Sequence, residues 1–291
     1  TGSPPARHGI VANGLATFRS RADADLTDPS NFADYRREIS FWEQSNQYVQ
    51  TPRFWKRAGV KTALLFFQNS MPGFSGDPSP AADIVLTPKP DHGPDGKLVS
   101  LCWSSPVDLV PRLFAELGPF PLMNYWGPMA GIASSRWIAA AAAWVWRRFD
   151  HALQLTYIPH LDYDLQRFGP QSPQAAQAMA DAALAVDPLL SVALDGGGRV
   201  MLVGEYAMRP VSRAIFPNRI LREAGLLALR DSPDGRRVDY RTSRAFALAD
   251  HQAAHLYLAD AADAPACIEA LSPHGVRAID RAGQKELGLD H

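Results

Sequence analysis

The sequence has little cysteine, almost no net charge and no long uninterrupted hydrophobic run. Its 291 residues include two cysteines, Cys102 and Cys267, which match no C-x-x-C pattern. Two isolated cysteines leave a disulfide open but favour reduced thiols, so we expect a cytoplasmic location. The formal net charge of −1 provides no overall field that would attract nucleic acid or anionic lipid. We therefore predict neither a nucleic acid duplex nor a membrane as a partner.

The longest continuous apolar run is also too short to span a membrane. It extends from Trp137 to Trp146 and ends at Arg147 and Arg148, whereas a spanning helix needs roughly 20 apolar residues. The start of the chain has no signal-peptide pattern and no initiator methionine. We interpret the sequence as a fragment that lacks both ends, with a processed terminus as the alternative.

Alternating strand and helix patterns predict an α/β fold. Buried strands are predicted at Val60–Phe67, Leu153–Ile158 and Val200–Val203. Because helical patterns separate them, we expect a mostly parallel central sheet with helices on both faces. An apolar content of 46% is typical of a globular chain. We predict a single domain over residues 1–291, in which 18–35 and 69–103 are peripheral insertions.

The stretch from Tyr157 to Pro170 carries the densest group of polar functional side chains. It follows a predicted strand and contains His160, Asp162 and Asp164 at alternate positions, which in an extended segment would point to one side. Acceptors at the end of a strand lie at the carboxyl edge of an α/β sheet. Oxygen and imidazole groups there would suit a divalent cation. The alternative is a loop in which the aspartates cap the following turn.

A second predicted strand ends in a similar way, at Glu205 and Tyr206. A carboxylate directly after a buried strand lies at the same sheet edge as Asp162, so we expect the two carboxylates to meet. The alternative for Glu205 is an ion pair at the sheet rim with Arg209 or Arg213.

Two histidines four residues apart, His251 and His255, form a third candidate site. On a helix this spacing would place both imidazoles on one face, as in zinc sites. The neighbouring Tyr257 and Leu258 favour a strand or turn instead, which would separate the histidines and leave them hydrogen-bonded at the edge of the core.

Other catalytic patterns are absent from the sequence. It has no G-x-S-x-G elbow and no phosphate-binding Walker motif. The aromatic residues Phe120, Tyr125 and Trp126 could stack on a flat leaving group such as a base. Core packing is the alternative for these three residues, and base rates of burial favour it.

Four segments follow one another in the order and spacing of a known family. They are Thr1-Gly2 with Pro5 and His8–Asn13, Trp55 to Phe66, Tyr157 to Pro170, and Gly204–Met208 followed by Asn218–Leu226. As a set they resemble the type I phosphodiesterase/nucleotide pyrophosphatase family, within the alkaline phosphatase superfamily. The resemblance covers most of the chain.

This resemblance implies a three-layer, alkaline-phosphatase-like sandwich and a metal-dependent hydrolysis of phosphodiester or pyrophosphate bonds. The implied substrate is a small phosphorylated molecule such as a nucleotide. In the family two metal ions, usually zinc, clamp the phosphoryl group. Asn13 matches the asparagine that donates a hydrogen bond to a phosphoryl oxygen, and Asp162 matches a metal ligand.

The chain departs from the family pattern at three ligand positions. Gln166 and Tyr206 stand where the family has histidine, and Glu205 stands where it has aspartate. The resemblance places the nucleophilic threonine shortly before Thr1, so we expect the 291-residue chain by itself to be inactive.

Two interpretations of these departures follow. One is a divergent hydrolase with a rebuilt metal site, in which nearby histidines compensate for the lost ligands. Its candidate ligands are Asp162, Glu205, Tyr206, Gln166, His160, His251 and His255. The other is a catalytically inactive member that binds a phosphorylated ligand. A phosphomutase or a sulfatase-like enzyme on the same scaffold is a further alternative, because fold does not fix function.

Overall fold

The computed structural model describes residues 14–16, 38–40, 59–67, 70–71, 80–92, 98–232, 235–240 and 242–289. The chain divides into two compact units. Unit 1 comprises Thr1–Gly2 and Pro52–Ser212, and unit 2 comprises Ser3–Thr51 and Arg213–His291. The single domain over residues 1–291 stays a prediction, and Asn13 and residues 18–35 lie outside the described part of the chain.

The regular elements are short, apart from two long helices. The strands are β1 (Gly14–Ala16), β2 (Glu38–Ser40), β3 (Thr62–Leu65), β4 (Ile84–His92), β5 (Leu98–Ser105), β6 (Leu153–Thr156), β7 (Ala228–Arg230), β8 (Arg237–Asp239), β9 (Ala245–Asp250) and β10 (Ala253–Leu258). The α-helices are α1 (Leu109–Leu117), α2 (Ile132–Arg148), α3 (His160–Phe168), α4 (Pro173–Asp195), α5 (Pro217–Glu223), α6 (Ala264–Leu271) and α7 (Arg281–Glu286).

Unit 1 is built on a mixed four-stranded sheet with the order β5-β4-β3-β6. Strand β3 is parallel to β4 and β6, whereas β4 and β5 are antiparallel. The predicted α/β content is therefore confirmed, but the sheet is only partly parallel. Residues 69–103, expected as a peripheral insertion, supply β4 and most of β5. Strands β4 and β5 pair as antiparallel because only five residues, 93–97, connect them. This connection is long enough for a hairpin and too short for the crossover that parallel strands need.

The core of unit 1 is an aromatic cluster at the carboxyl end of β3. Phe66 lies 4.8 Å from Phe120 and 5.5 Å from Tyr125 between ring centroids, and Phe120 lies 5.2 Å from Trp137. Phe66 and Phe120 are 1% and 2% exposed, respectively. Edge-to-face and tilted ring pairs of this kind stabilise a core beyond the area that they bury. Phe120 and Tyr125 therefore pack in the core, and they do not form an open wall for a base.

The long helices α2 and α4 pack through alanine. Buried alanines of α2, including Ala141 and Ala142, face a helix whose own buried residues include Ala178 and Ala185. By length and composition, α4 is apolar enough to cross a membrane, and 17% of its apolar window is buried. Asp181, Asp187 and the internal Pro188 interrupt the apolar run in the sequence. One helix of this type in the described chain is weak evidence for a membrane span.

The segment between α4 and α5 is an exposed extended chain. The sequence predicts a buried strand at Val200–Val203, but these residues form no strand, and Met201, Leu202 and Val203 are 83%, 78% and 78% exposed. The prediction is wrong because strand propensity needs a neighbouring strand to complete the hydrogen-bond ladder. Among the described residues no strand pairs with this segment.

In unit 2, Asn218 joins α5 to strand β9. Its side-chain amide donates to the carbonyl of Ala247 over 2.8 Å, and its oxygen accepts from the amide of the same residue over 2.7 Å. Helix α5 buries Ile220 and Leu221 and ends at Glu223, two residues before Gly225, which has a φ of 72°. The left-handed conformation at this C-terminus is the one that glycine adopts without strain.

Candidate active site

Asp162 lies in the first turn of a helix that directly follows a parallel strand. Strand β6 pairs with β3, and the amide of Tyr157 extends this pairing by donating to the carbonyl of Leu65 over 3.0 Å. Helix α3 begins at His160, three residues later. A carboxylate in the first helical turn is stabilised by the helix dipole. The predicted strand ahead of Asp162 is therefore confirmed, although β6 is only partly buried.

One oxygen of Asp162 accepts two hydrogen bonds. The hydroxyl of Tyr206 donates to Oδ1 over 2.5 Å, and the amide nitrogen of Gln166 donates to the same oxygen over 2.8 Å. Gln166 is one helical turn further along α3, whereas Tyr206 comes from the exposed segment after α4. The fold thus joins three residues that the sequence analysis proposed as metal ligands, and it joins them by hydrogen bonds.

Glu205 lies within the same electrostatic neighbourhood. Burial raises the pKa of Tyr157 to about 12, and the charges of Glu205 and Asp162 add to this effect. Desolvation and the hydrogen bond to Asp162 raise the pKa of Tyr206, with a further contribution from Glu205. Both carboxylates therefore act on the same two tyrosines, which remain protonated hydroxyl donors at neutral pH. We call Tyr157, Asp162, Gln166, Glu205 and Tyr206 the Asp162 cluster.

His160 and Asp164 do not point to the same side as Asp162. The segment is helical and not extended, so Asp162 lies about 200° around the helix from His160, while Asp164 is one turn from it. His160 is 7% exposed, and neither ring nitrogen has a hydrogen-bond partner among the described side chains and backbone groups. Asp164 forms an ion pair with Arg167 over 3.1 Å. The prediction that His160, Asp162 and Asp164 point to one side is wrong, because it assumed an extended segment and the segment is helical.

The buried imidazole of His160 predicts a pH-dependent stability. Burial lowers its pKa from the ordinary value of 6.5, against the opposing charges of Asp164 and Asp181 and together with the charge of Arg136. Because the unfolded chain then binds the proton more readily, stability falls as the pH falls through and below 6.5.

We expect His160→Leu to reduce this fall, since the variant has no imidazole to protonate. Tryptophan fluorescence during urea unfolding of both proteins at pH 7.5, 6.5 and 5.5 measures the difference. Titration of the acidic residues is common to both proteins and cancels. Parallel pH profiles for the two proteins would contradict the prediction.

Arg167 fixes a loop beside the helix and was missed by the sequence analysis. Its guanidinium donates to the carbonyls of Gly127, Pro128 and Ala130 over distances of 2.9 to 3.2 Å. Arg167 is far in the sequence from the residues that provide these carbonyls. No local pattern in the sequence therefore indicates the contact. It orients the first residues of the loop that leads to α2 and so supports the helix that carries Asp162.

The candidate histidines His251 and His255 lie in unit 2, whereas the Asp162 cluster lies in unit 1. His251 occupies the turn between β9 and β10 with a φ of 56°, and its Nδ1 is 2.6 Å from Asp250 Oδ1. His255 pairs with Leu248 within the β9–β10 hairpin. The helical arrangement that would place both imidazoles on one face is not formed, as the neighbouring strand-forming residues indicated.

Neither cysteine is a nucleophile in this fold. Cys102 and Cys267 are both buried, and neither forms a disulfide. Burial raises the pKa of both thiols, and a protonated thiol is a poor nucleophile.

The described residues do not fit a metal pair in their present arrangement. No group of three or more His, Cys, Asp or Glu side chains in the described ranges could hold a metal ion. The Asp162 oxygen already accepts from Tyr206 and Gln166. A zinc site needs four donors with lone pairs directed at the ion, whereas these two groups direct protons toward the carboxylate.

The fold and the cluster define an α/β protein with an acidic site at the end of a parallel strand. A model of the type I phosphodiesterase/nucleotide pyrophosphatase family matches residues 1–287, and the chain belongs to this family. Comparisons with curated proteins and with solved structures gave no match. The resemblance seen in the sequence motifs is therefore confirmed, and with it a phosphodiesterase/nucleotide pyrophosphatase-type hydrolase at the level of the family.

Proposed function

We propose that the protein hydrolyses phosphodiester or pyrophosphate bonds in a small phosphorylated substrate, with nucleotides as the favoured class. The observation that carries this proposal is the family match over residues 1–287, together with the position of Asp162 directly after strand β6. A three-layer alkaline-phosphatase-like sandwich belongs to the same proposal. Asp162 is the residue whose carboxylate we assign to the reaction site.

We further propose that hydrolysis depends on a divalent cation. Asp162 and Glu205 both raise the pKa of Tyr157 and of Tyr206, so both carboxylates act on this pair of tyrosines. Two carboxylates would repel an approaching phosphoryl group unless a positive charge offsets them. We expect the cation to be bound in the substrate-bound protein. In the structure described above, Tyr206 and Gln166 donate hydrogen bonds to the Asp162 oxygen.

The proposal is tested by release of nitrophenol from a bis-nitrophenyl phosphate in the purified full-length protein. We expect chelation to abolish turnover, and Asp162→Asn to lower kcat/KM by at least ~100-fold, the scale for losing a preorganised electrostatic group. Asp164→Asn is the matched control, because Asp164 lies on another face of the same helix and pairs with Arg167. Its kcat/KM should stay within a few-fold of the parent. Turnover that is indifferent to Asp162→Asn would contradict the proposal.

A second candidate function is binding of a phosphorylated ligand without turnover. The observation that favours it is the double hydrogen bond on Asp162, which satisfies the carboxylate within the chain. Titration of a non-hydrolysable nucleotide analogue by calorimetry separates the candidates. Binding without any turnover favours the second candidate, and chelator-sensitive turnover favours the first.

A further inference from the structure

We infer that Arg167 is a positioning residue for the reaction at Asp162, and that it acts by fixing the rotation of helix α3. The inference rests on the proposed function in taking Asp162 as the residue at the reaction site. It assigns to Arg167 an effect on the turnover of bound substrate, which the family assignment does not contain.

Helix α3 has little apolar packing that could hold it in place. All of α3 lies within the described ranges, and His160 is its only buried residue. Leu161 and Phe168, by contrast, are 39% and 52% exposed. Nine residues are also too few for a helix to be stable by itself in water. The direction in which Asp162 points therefore depends on the polar contacts that fix α3.

Arg167 joins α3 to the loop before α2 and uses all of its terminal donors to do so. Its Nη1 donates to the carbonyl of Ala130 and to the carboxylate of Asp164, each over 3.1 Å. Its Nη2 donates to the carbonyls of Gly127 and Pro128 over 3.2 and 2.9 Å. A guanidinium has five N–H donors, of which four are on the two terminal nitrogens. None of these four is left for a phosphoryl oxygen of a substrate.

The loop that Arg167 holds is anchored to the aromatic core of unit 1. The side-chain amide of Asn124 donates to the carbonyl of Met129 over 2.9 Å, which closes the loop on itself. The next residue, Tyr125, is buried, and its ring lies 5.5 Å from that of Phe66 between centroids. Arg167 therefore connects a weakly packed helix to a rigid part of the same unit.

This connection reaches α3 from the side away from the reaction site. Arg167 follows Asp162 by five residues, which places it about 140° further around the helix. Without the guanidinium, α3 can rotate or shift and carry the carboxylate with it. A misplacement of about 1 Å can slow a reaction by ~100-fold. We therefore expect a loss in kcat with little change in KM, because substrate binding is affected less than the transition state.

The test measures hydrolysis of a bis-nitrophenyl phosphate by the full-length protein and its variants. Arg167→Ala should lower kcat by ~100-fold and leave KM within a few-fold of the parent. Arg167→Lys should recover only part of this loss, because an ammonium group cannot match the planar fork that meets three carbonyls. Added guanidinium ion, well below denaturing concentrations, should restore part of kcat in Arg167→Ala.

Arg147→Ala is the matched control, since Arg147 is an exposed arginine in the last turn of α2. It should keep the kinetics of the parent and respond to guanidinium as the parent does. An unchanged kcat in Arg167→Ala would overturn the inference. So would a loss that appears in KM alone, which would assign Arg167 to substrate binding. A loss in kcat that guanidinium leaves unchanged would overturn it as well, since general damage to the fold would then be the cause.

Hydrogen exchange tests the positioning step without any turnover. The amides of α3 should exchange at least ~10-fold faster in Arg167→Ala than in Arg147→Ala, because the helix loses several bonds from a charged donor. Equal exchange in the two variants would overturn the inference whatever the kinetics. A parent protein without turnover would refute the proposed function, whereas the exchange rates decide separately whether Arg167 holds the helix that carries Asp162.

Discussion

Replacing Asn218 with Asp should destabilise unit 2 by about 2–4 kcal/mol at neutral pH. The substitution keeps the shape of the side chain and its acceptor for the amide of Ala247, but it loses the donor to the carbonyl of the same residue. A carboxylate oxygen then faces a carbonyl oxygen that has lost its partner. We expect a loss of this size because one side chain satisfies both backbone groups of one residue.

Hydrogen exchange of peptides from strand β9, followed by mass spectrometry, measures this effect within unit 2. The β9 amides should exchange at least ~30-fold faster in Asn218→Asp, which corresponds to about 2 kcal/mol. Arg219→Ala is the control, since Arg219 makes an exposed i,i+4 ion pair with Glu223 that contributes little. Equal exchange in the two variants would show that Asn218 does not fix β9.

The same experiment distinguishes a structural role of Asn218 from a role in the reaction. Asn218 belongs to one of the segments that resemble the family, and such a residue is easily taken for part of the reaction site. Its two hydrogen bonds to Ala247 assign it a structural role. We therefore expect Asn218→Asp to lose activity only to the extent that the backbone amides of β9 also lose protection from hydrogen exchange.

Phe120→Ala should lower the stability of unit 1 by about 3–5 kcal/mol, which is the usual cost of removing a buried aromatic ring. Phe120 is 2% exposed and its ring contacts Phe66, Tyr125 and Trp137. Phe66 directly follows β3 and Trp137 belongs to the long helix α2, so we expect the neighbouring rings to fill the cavity only in part. Urea unfolding followed by tryptophan fluorescence measures the effect, because Trp137 is part of the cluster.

The control for Phe120 is Met123→Ala, which removes a side chain that is 62% exposed in the same stretch. It should change stability by less than about 0.5 kcal/mol. Phe120→Leu, which keeps most of the volume, should fold and should leave the preference among nucleotide bases unchanged. A changed base preference in Phe120→Leu would support the stacking role that the burial of this ring argues against.

Elements whose signals are local can be found from local patterns in the sequence. The helix at Pro173 begins after Ser172, whose hydroxyl accepts from the amide of Ala175 over 3.1 Å, and a Ser-Pro pair is a recognisable start signal. The β-like residues around Asp250 and His255 form the β9–β10 hairpin. These features depend on neighbours in the chain, so periodicity and capping residues are sufficient to find them.

The sequence was not sufficient where a choice depends on distant partners. Val200–Val203 has the composition of a buried strand, yet it is exposed, because composition cannot supply the strand that would pair with it. The spacing of His160 and Asp162 has opposite meanings in a strand and in a helix, and α3 separates them. Spacing alone does not say whether a segment is a strand or a helix. Only the helical conformation of α3 shows that His160 and Asp162 lie on different faces.

By itself the sequence determined the family, through the order of four motifs, and the position of Asp162 shortly after a strand. Only the tertiary structure decided which donors reach Asp162. Gln166 and Tyr206 are 4 and 44 residues away from it, and a contact across 44 residues requires that the segment after α4 returns to α3. Such a return depends on the packing of whole elements, which no local pattern encodes.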